Sequence, residues 1–368
     1  MEPLVYQIAL SLLPGVGSIR ARTILAHTGS AENFFRETAK NPEKIPGIGP
    51  NPLTRSHREK ALEAAIEEYE FVRKNNIRTV WFLDDDYPLR LKQCEDAPVI
   101  IYIRGEIDLD AARVISIVGT RHATPYGTGQ CNKIVEELAA DYPDLLVVSG
   151  LAYGIDVCAH KAALKHGLQT AAVLGHGLHM IYPAVHRQVA RDIVKQGALV
   201  TEFATSQTPD KGNFIARNRI IAGLADATLI VESGAKGGAL ITADLANSYN
   251  RDVFALPGRV SDNWSQGCNQ LIKKNLAALV ESGKDIAYMM GWKSSSSPKK
   301  NIQKELFADL NEEENKLLDV LKQHGELSVD QLAVLANLPV SKASSLLLNL
   351  EFSGLVTILP GNIYRYLA

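Results

Sequence analysis

The sequence predicts an α/β protein in which a central parallel sheet follows a helical domain and precedes a small unit of helices and a hairpin. Apolar runs of strand length alternate with helical stretches over residues 76–292, and this alternation indicates a parallel sheet covered on both faces. Residues 1–75 read as helices, and a serine- and lysine-rich break at 293–310 reads as a linker before residues 311–368. A chain of 368 residues is long enough for these three domains.

The N-terminal domain carries two glycine-rich hairpin signals, Leu13-Pro-Gly-Val-Gly-Ser18 and Ile45-Pro-Gly-Ile-Gly-Pro50. The first leads into a helical pattern from Ile19 to Leu25, which is the form of a helix-hairpin-helix or SAM-like domain. Glycines let such a hairpin turn tightly and point N–H groups at a phosphate. The alternative is that the hairpins only connect helices, and the near charge balance of this segment favours that alternative.

Six strands are predicted in the central domain, and glycine-rich turns follow four of them. Because ligands bind at the carboxyl ends of the strands in such sheets, the turns predict where a site lies. The predicted strands are residues 78–83, 113–118, 145–148, 170–174, 227–231 and 252–256. The glycine-rich turns are residues 119–127, 149–156, 175–183 and 234–242.

The C-terminal unit has the outline of a winged helix. Helical patterns at 328–336 and 341–350 follow an acidic first helix, and a hairpin signal covers 355–366. DNA-reading winged helices place basic residues on the second helix of the pair, whereas here that helix offers Lys342 alone. Residues 311–368 contain seven acidic and four basic side chains, so we expect this unit to contact protein rather than a DNA groove.

Composition limits the classes of function. The formal net charge is −2, so any nucleic-acid site must be a local basic patch. The start of the chain lacks the pattern of a signal peptide, and no apolar run reaches membrane-spanning length. We therefore expect a soluble, cytoplasmic protein. Its four cysteines lie far apart without a CxxC pair, which indicates reduced thiols: Cys94, Cys131, Cys158 and Cys268.

The segment from Asn213 to Leu224 is the most informative of the chain, because two arginines and two asparagines stand there beside an aromatic ring. Lys211 precedes it, and no acidic residue lies between Asp210 and Asp226. Arginine suits phosphate oxygens, and an aromatic face can stack on a nucleobase. The alternative is an ordinary helix start whose arginines are solvated or paired with carboxylates.

Arg121 is a second basic position, and it follows a predicted strand after two turn residues. In a parallel sheet this turn and the basic segment can reach the same rim, where glycine backbone allows a ligand to approach closely. The candidate DNA-binding residues are Gly119, Arg121, Ser149, Gly150, Lys211, Asn213, Phe214, Arg217, Asn218, Arg219 and Gly237.

Enzyme signatures are weak in this sequence. The turns match neither G-x-G-x-x-G nor a Walker loop, and no serine lies in G-x-S-x-G. His176 and His179 lack a third ligand of suitable spacing. We therefore predict binding rather than turnover, with no catalytic residues, cofactor or metal. The rival is a nucleotide-binding or phosphoribohydrolase-like enzyme of the LOG type, whose glycine pair before a helix is matched by Gly237-Gly238 but without the catalytic glutamate.

In their order and in their residue sequences, the turns resemble those of the DNA-processing protein A (DprA/Smf) family. The resemblance is dense over residues 80–290 and looser at both ends. The matching motifs are Ser116-Ile-Val-Gly-Thr-Arg121, Val148-Ser-Gly-Leu-Ala-Tyr-Gly-Ile-Asp156, Ala172-Val-Leu-Gly-His-Gly-Leu178, Arg217-Asn-Arg-Ile-Ile-Ala-Gly-Leu224, Gly237-Gly-Ala-Leu-Ile-Thr-Ala243 and Arg251-Asp-Val-Phe-Ala-Leu-Pro-Gly258.

This resemblance implies an extended Rossmann-like domain that binds single-stranded DNA without catalysis. It also implies a homodimer that loads the recombinase RecA onto incoming strands during natural transformation, displacing or coexisting with single-strand-binding protein. By resemblance, Arg121 is the arginine of the binding pocket, Lys211 and Phe214 are the lysine and the stacking aromatic, and Arg217 and Arg219 are the paired arginines. The chain departs from the family pattern at Ala204 and Ile215, so the loop before Phe214 can differ in shape.

Overall fold

The computed structural model describes residues 2–37, 45, 54–207, 209–293, 310–353, 355–359 and 363–366. The chain forms two compact units, Met1–Ser295 and Ser296–Ala368. Most of the second hairpin signal, at 46–50, and most of the predicted linker, at 294–309, lie outside the described residues. No single described helix is long and apolar enough to cross a membrane, although the bent pair Val329–Ala336 and Val340–Glu351 passes that test by length and composition.

The N-terminal segment folds into helices that pack directly on the sheet. The first hairpin signal joins two of these helices, with Gly15 in the left-handed region at φ 73°. Apolar residues of the helices, including Ile8 and Leu10, share a core with Trp81 and Tyr102 of the sheet. The predicted limit at residue 75 is thus a change of secondary structure within one compact unit. The helices are α1 Pro3–Leu12, α2 Ser18–Thr28, α3 Ala31–Glu37 and α4 Arg55–Lys74.

A mostly parallel sheet forms the centre of the first unit, and its nine strands all lie in described residues. The strand order is β1-β2-β6-β5-β4-β3-β7-β8-β9, and β2 runs antiparallel to both of its neighbours. The strands are β1 Arg78–Trp81, β2 Ile100–Gly105, β3 Val114–Val118, β4 Leu146–Ser149, β5 Gln169–Val173, β6 Ala198–Thr201, β7 Ala227–Ile230, β8 Asp252–Ala255 and β9 Ala278–Leu279.

Helices cover both faces of this sheet, as the continuous apolar strands predict. Within β3, Val114 and Val118 belong to one apolar core, and Ile115 and Ile117 belong to the core on the opposite face. The α/β class with a large, mostly parallel sheet is therefore confirmed. The helices are α5 Leu89–Lys92, α6 Pro125–Asp141, α7 Ile155–Lys165, α8 Arg187–Gln196, α9 Lys211–Gly223, α10 Gly238–Ser248, α11 Gln266–Lys273 and α12 Gly283–Met289.

The order of the strands reverses direction at β3. From β3 the chain continues through β4, β5 and β6 on one side, and it later returns to place β7 and β8 on the other side. The connections that leave the carboxyl ends of β3 and β7 therefore diverge and leave a crevice between them. Such topological switch points are where α/β sheets bind ligands.

The second unit is a winged helix, as the sequence predicts. Three helices surround an apolar core that includes Leu317, Leu332 and Leu347. Lys342, the cation of the third helix, bonds to Glu313 of the first at 2.6 Å. The elements are α13 Glu312–His324, β10 Glu326–Ser328, α14 Val329–Ala336, α15 Val340–Phe352, β11 Val356–Leu359 and β12 Ile363–Tyr366, with strand order β10-β12-β11.

Candidate nucleic-acid interface

A cleft of about 900 Å³ lies at the switch point between β3 and β7. One wall is the turn after β3, at residues 118–122, and another comprises the loop after β7 and the start of α10, at 233–242. Residues of α9 close the third side. The sequence prediction that the glycine turns and the basic segment meet at one rim therefore agrees with the geometry.

Arg121 is exposed at the mouth of this cleft. Within the described residues it takes part in no ion pair, and its Cζ atom lies 5.9 Å from the centroid of the Phe214 ring. The turn that carries it is fixed from below, because the Thr120 N–H donates to the Glu232 carbonyl at 2.7 Å. Gly119 is needed in this turn, since a Cβ there would lie 2.6 Å from Cγ1 of Ile155. The guanidinium thus stands on a rigid support and faces solvent.

Phe214 presents a half-buried ring on α9. It rests on the backbone of Gly175, where a Cβ would lie 2.8 Å from its Cδ1 atom. The Tyr182 ring, which is 48 % exposed, tilts against it with centroids 5.6 Å apart. The two rings form an aromatic surface beside Arg121, which is the combination that holds a base next to its phosphate.

The opposite wall contains residues that were not among the predicted site. His122 and Trp264 stack with ring centroids 5.4 Å apart and an interplanar angle of 29°. Lys236 is exposed in the loop before α10, next to the predicted residue Gly237, which is the N-cap of that helix. Lys236 lies inside a predicted glycine turn and could have been found there, whereas no local pattern indicates that Trp264 reaches the cleft.

Arg217 differs from its predicted position at the exposed rim. Its side chain is 3 % exposed on the floor of the cleft, and Nη1 donates to the Val173 carbonyl at 3.0 Å. Burial lowers the pKa of the guanidinium to about 10, while Asp156 acts in the opposite direction. Gly150, predicted to approach the ligand, instead provides room for this guanidinium, because a Cβ there would overlap Nη1. Arg217 therefore connects α9 to the strands.

Arg219 and Ser149, unlike Arg217, are not part of the cleft lining. The Arg219 Nη2 atom bonds to Glu202 Oε2 at 2.5 Å, and the two side chains are 14 % and 17 % exposed. Residues two apart on a helix point in directions about 200° apart, so Arg217 and Arg219 cannot share one face of α9. The Ser149 hydroxyl donates to the Ile117 carbonyl at 2.6 Å inside the sheet. Neither side chain therefore faces the cleft in this structure, and their contacts with DNA stay predictions.

The remaining candidates divide between the cleft and its surroundings. Lys211 and Asn218 line the cleft. Asn213 is half-exposed on the same helix and is not part of the lining. The predicted residues that the structure brings together are Gly119, Arg121, Lys211, Phe214, Arg217, Asn218 and Gly237.

The carboxylates of the cleft have structural roles. Asp156 is 6 % exposed, and burial raises its pKa while Arg217 and backbone N–H groups lower it. Asp210 caps α9 by accepting from the Gly212 N–H at 2.7 Å. Among the described residues, no group of three His, Cys, Asp or Glu side chains could hold a metal ion. The cleft can therefore offer cations, aromatic faces and backbone N–H groups to an anionic, aromatic ligand.

This fold and this cleft define a Rossmann-like α/β protein with a basic, aromatic binding site at the switch point and a C-terminal winged helix. The chain belongs to the DNA recombination-mediator protein A family, whose sequence model matches residues 78–291. The model of the DprA winged helix domain matches residues 304–362.

Relatives from three bacteria support this assignment. The chain is 31 % identical to Protein Smf of Synechocystis, with 98 % of each sequence covered. It resembles the crystal structure of DprA from Streptococcus pneumoniae at 30 % identity and a TM-score of 0.66, covering 78 % of this chain and 98 % of that one. It also resembles the DprA of Helicobacter pylori, solved to describe its single-stranded DNA binding mode, at 29 % identity and a TM-score of 0.53, covering 58 % and 95 %.

Proposed function

We propose that this protein binds single-stranded DNA in the switch-point cleft and acts there as a recombination mediator without catalysing a reaction. The observation that carries the proposal is the pairing of Arg121 with Phe214, in which an exposed guanidinium stands 5.9 Å from a half-buried ring. A phosphate oxygen of the DNA can bind the guanidinium of Arg121 while the base of the same nucleotide stacks on the ring of Phe214. Lys211 and Lys236 add positive charge at the same rim.

Several features support a single strand over a duplex. The rings of Phe214 and Tyr182 can stack only on bases that are not already stacked in a double helix. Lys342 of the winged helix, the cation on the helix that would read a groove, is bonded to Glu313. The relative from Helicobacter pylori is described as binding single-stranded DNA. We therefore expect binding with little base preference.

The role in recombination rests on the family. Membership supports the proposal that the protein forms a homodimer and loads RecA onto single strands during natural transformation, in the presence of single-strand-binding protein. RecA-dependent strand exchange on DNA coated with that protein would measure the loading. A preparation that binds DNA but leaves the rate of strand exchange unchanged would contradict this part. Light scattering at micromolar concentration would detect the dimer.

The carboxylates argue against the LOG-type alternative. Asp156 is buried at the cleft, where Arg217 and backbone N–H groups stabilise its charge, and Asp210 caps α9, so both carboxylates already have structural partners. We expect no release of base from nucleoside monophosphates. If the wild-type protein released base and an Asp156→Asn variant did not, the LOG-type enzyme would be favoured.

The decisive experiment is a titration with a fluorescent oligothymidylate at two salt concentrations, with duplex DNA of the same length as competitor. The logarithm of the affinity should fall with the logarithm of the salt concentration by about 0.7 per phosphate bound. Salt-independent binding, or equal affinity for the duplex, would contradict the proposal.

A further inference from the structure

A second groove of about 700 Å³ lies beside the cleft, between α8 and the β2–β6 part of the sheet. Its lining is basic at the edges and apolar on the floor. The basic residues are Arg104 of β2 and Arg187, Arg191 and Lys195 of α8. The floor contains Leu178, Met180, Ile181, Val194 and Leu199.

The cations of α8 form a single row. They are spaced four residues apart, so they lie on one face of the helix and advance about 6 Å at each step. Arg187 and Arg191 are exposed and take part in no ion pair within the described residues, and the same holds for Arg104. Lys195 is partly neutralised by Asp192 at 3.4 Å. Three exposed guanidinium groups around one groove, with no ion pair in the part of the chain described, favour an anionic partner with several charges.

The groove and the cleft share one chain segment. Leu178, Met180 and Ile181 line the groove, and the next residue, Tyr182, lines the cleft. This segment is held in place because the buried ring of His176 accepts from the Tyr182 N–H at 3.2 Å. Burial lowers the pKa of His176, so the ring is neutral and its Nε2 remains an acceptor at physiological pH.

We infer that the groove is the second section of the single-stranded DNA track that begins in the cleft. The strand passes Tyr182, its phosphates follow the row of arginines on α8 with Arg104 opposite, and its bases lie over the apolar floor. Charge complementarity and continuity with the cleft favour this occupant over an acidic protein surface. The inference rests on the proposed DNA binding in the cleft.

The test compares two lengths of DNA with four variants of the full chain. An oligothymidylate of about 6 nucleotides fills the cleft alone, and one of about 30 can also reach the groove. Arg187→Gln/Arg191→Gln should weaken binding of the long oligomer at least tenfold and flatten its salt slope by about 1.4, equal to two phosphates. Binding of the short oligomer should not change. Arg187→Lys/Arg191→Lys should retain most of the affinity.

Lys161→Gln/Lys165→Gln is the matched control, because these exposed lysines of α7 also stand four residues apart and line neither cavity. This control should bind both oligomers normally. Equal loss in the control and in the α8 variant would overturn the inference, since net charge alone would then explain the effect. Arg104→Gln, on a different element, should reproduce a weaker form of the α8 defect.

The outcomes separate the two proposals. If the wild-type protein binds neither oligomer, the proposed function itself fails. If it binds both, and the α8 variant with an unchanged melting temperature also binds both as tightly, the track does not reach the groove. Unchanged DNA binding together with weakened RecA-dependent strand exchange would instead assign the groove to a protein partner and overturn the inference.

Discussion

At the scale of single residues, Arg121 is an exposed cation of the cleft that takes part in no ion pair within the described residues and can bind a phosphate. Replacing it with alanine should lower the affinity for every oligonucleotide sequence by a similar factor, because a phosphate contact carries no base information. The salt slope should flatten by about 0.7. The measurement is fluorescence anisotropy with oligomers of several sequences at a series of salt concentrations.

Arg55→Ala is the control for this experiment, since Arg55 is a highly exposed arginine of α4 that pairs with Glu59 on the same helix. It should change neither affinity nor slope. If Arg121→Ala behaves in the same way, the cleft is not the DNA site.

Phe214 should contribute through stacking, which is a contact without a net charge. Phe214→Leu keeps an apolar side chain against Gly175 but removes the aromatic face, so we expect a loss of about 1–3 kcal/mol in binding free energy with an unchanged salt slope. Phe214→Trp should retain the affinity. The alternative is that the ring only packs the core. In that case both variants would lower the melting temperature while the folded protein binds DNA normally, so calorimetry must accompany the binding assay.

At the scale of secondary-structure elements, α9 has two faces with different tasks. Lys211, Phe214 and Asn218 recur at helical spacing and line the cleft, whereas Arg219 points to the other side and pairs with Glu202. Arg217 lies between them and is buried. Of the two arginines of the family motif, Arg217 therefore lies on the floor of the cleft, and Arg219 forms an ion pair on the other side of the helix.

Arg219→Met should destabilise the protein without changing the DNA affinity of the folded state. Removing one partner of a fully buried ion pair costs about 3–5 kcal/mol because the other charge stays buried, and the loss here should be smaller because the two side chains are 14 % and 17 % exposed. Burial raises the pKa of Glu202 and Arg219 lowers it, so the variant should raise this pKa further. The stability deficit should be largest at neutral pH and shrink as the pH falls, since protonation of Glu202 removes the buried charge.

Thermal unfolding as a function of pH would measure this effect. The double variant Arg219→Met/Glu202→Gln is the control. It has no carboxyl at residue 202, so the extra instability of Arg219→Met at neutral pH should be absent from it. Full stability of Arg219→Met together with weaker DNA binding would show that Arg219 faces the DNA after all.

The sequence predicts most strands of the sheet, but it does not predict which strands are neighbours. Apolar runs predicted β1, β3, β4, β5, β7 and β8 because buried strands need few polar residues. Three further strands, β2, β6 and β9, lie outside the predicted set, and the direction of β2 depends on its partners β1 and β6 rather than on its own residues. In the same way, sequence proximity grouped Arg217 with Arg219, although helical geometry separates them.

At the scale of the whole molecule, the cleft depends on segments that are distant in sequence. The turn of Arg121, the helix of Phe214 and the loop of Trp264 meet only because β3 and β7 are neighbours in the sheet. Glycine turns predicted the edge where this happens. The glycine turns could not predict the position of Trp264. Its ring stacks on that of His122, and no sequence pattern connects two residues so far apart in the chain.

The winged helix should contribute little to DNA affinity. It forms a compact unit of its own, residues 311–368 carry seven acidic and four basic side chains, and Lys342 is already bonded to Glu313. Removing residues 301–368 should therefore leave the affinity for single-stranded DNA, and its salt slope, within a factor of a few of the full chain. A tenfold loss, equal to about 1.4 kcal/mol, would instead show that this unit binds DNA.

Lys342→Gln in the full chain tests whether the third helix of the winged helix contacts DNA. It should leave affinity unchanged if the lysine only pairs with Glu313, and it should reproduce part of the loss if the third helix contacts phosphate.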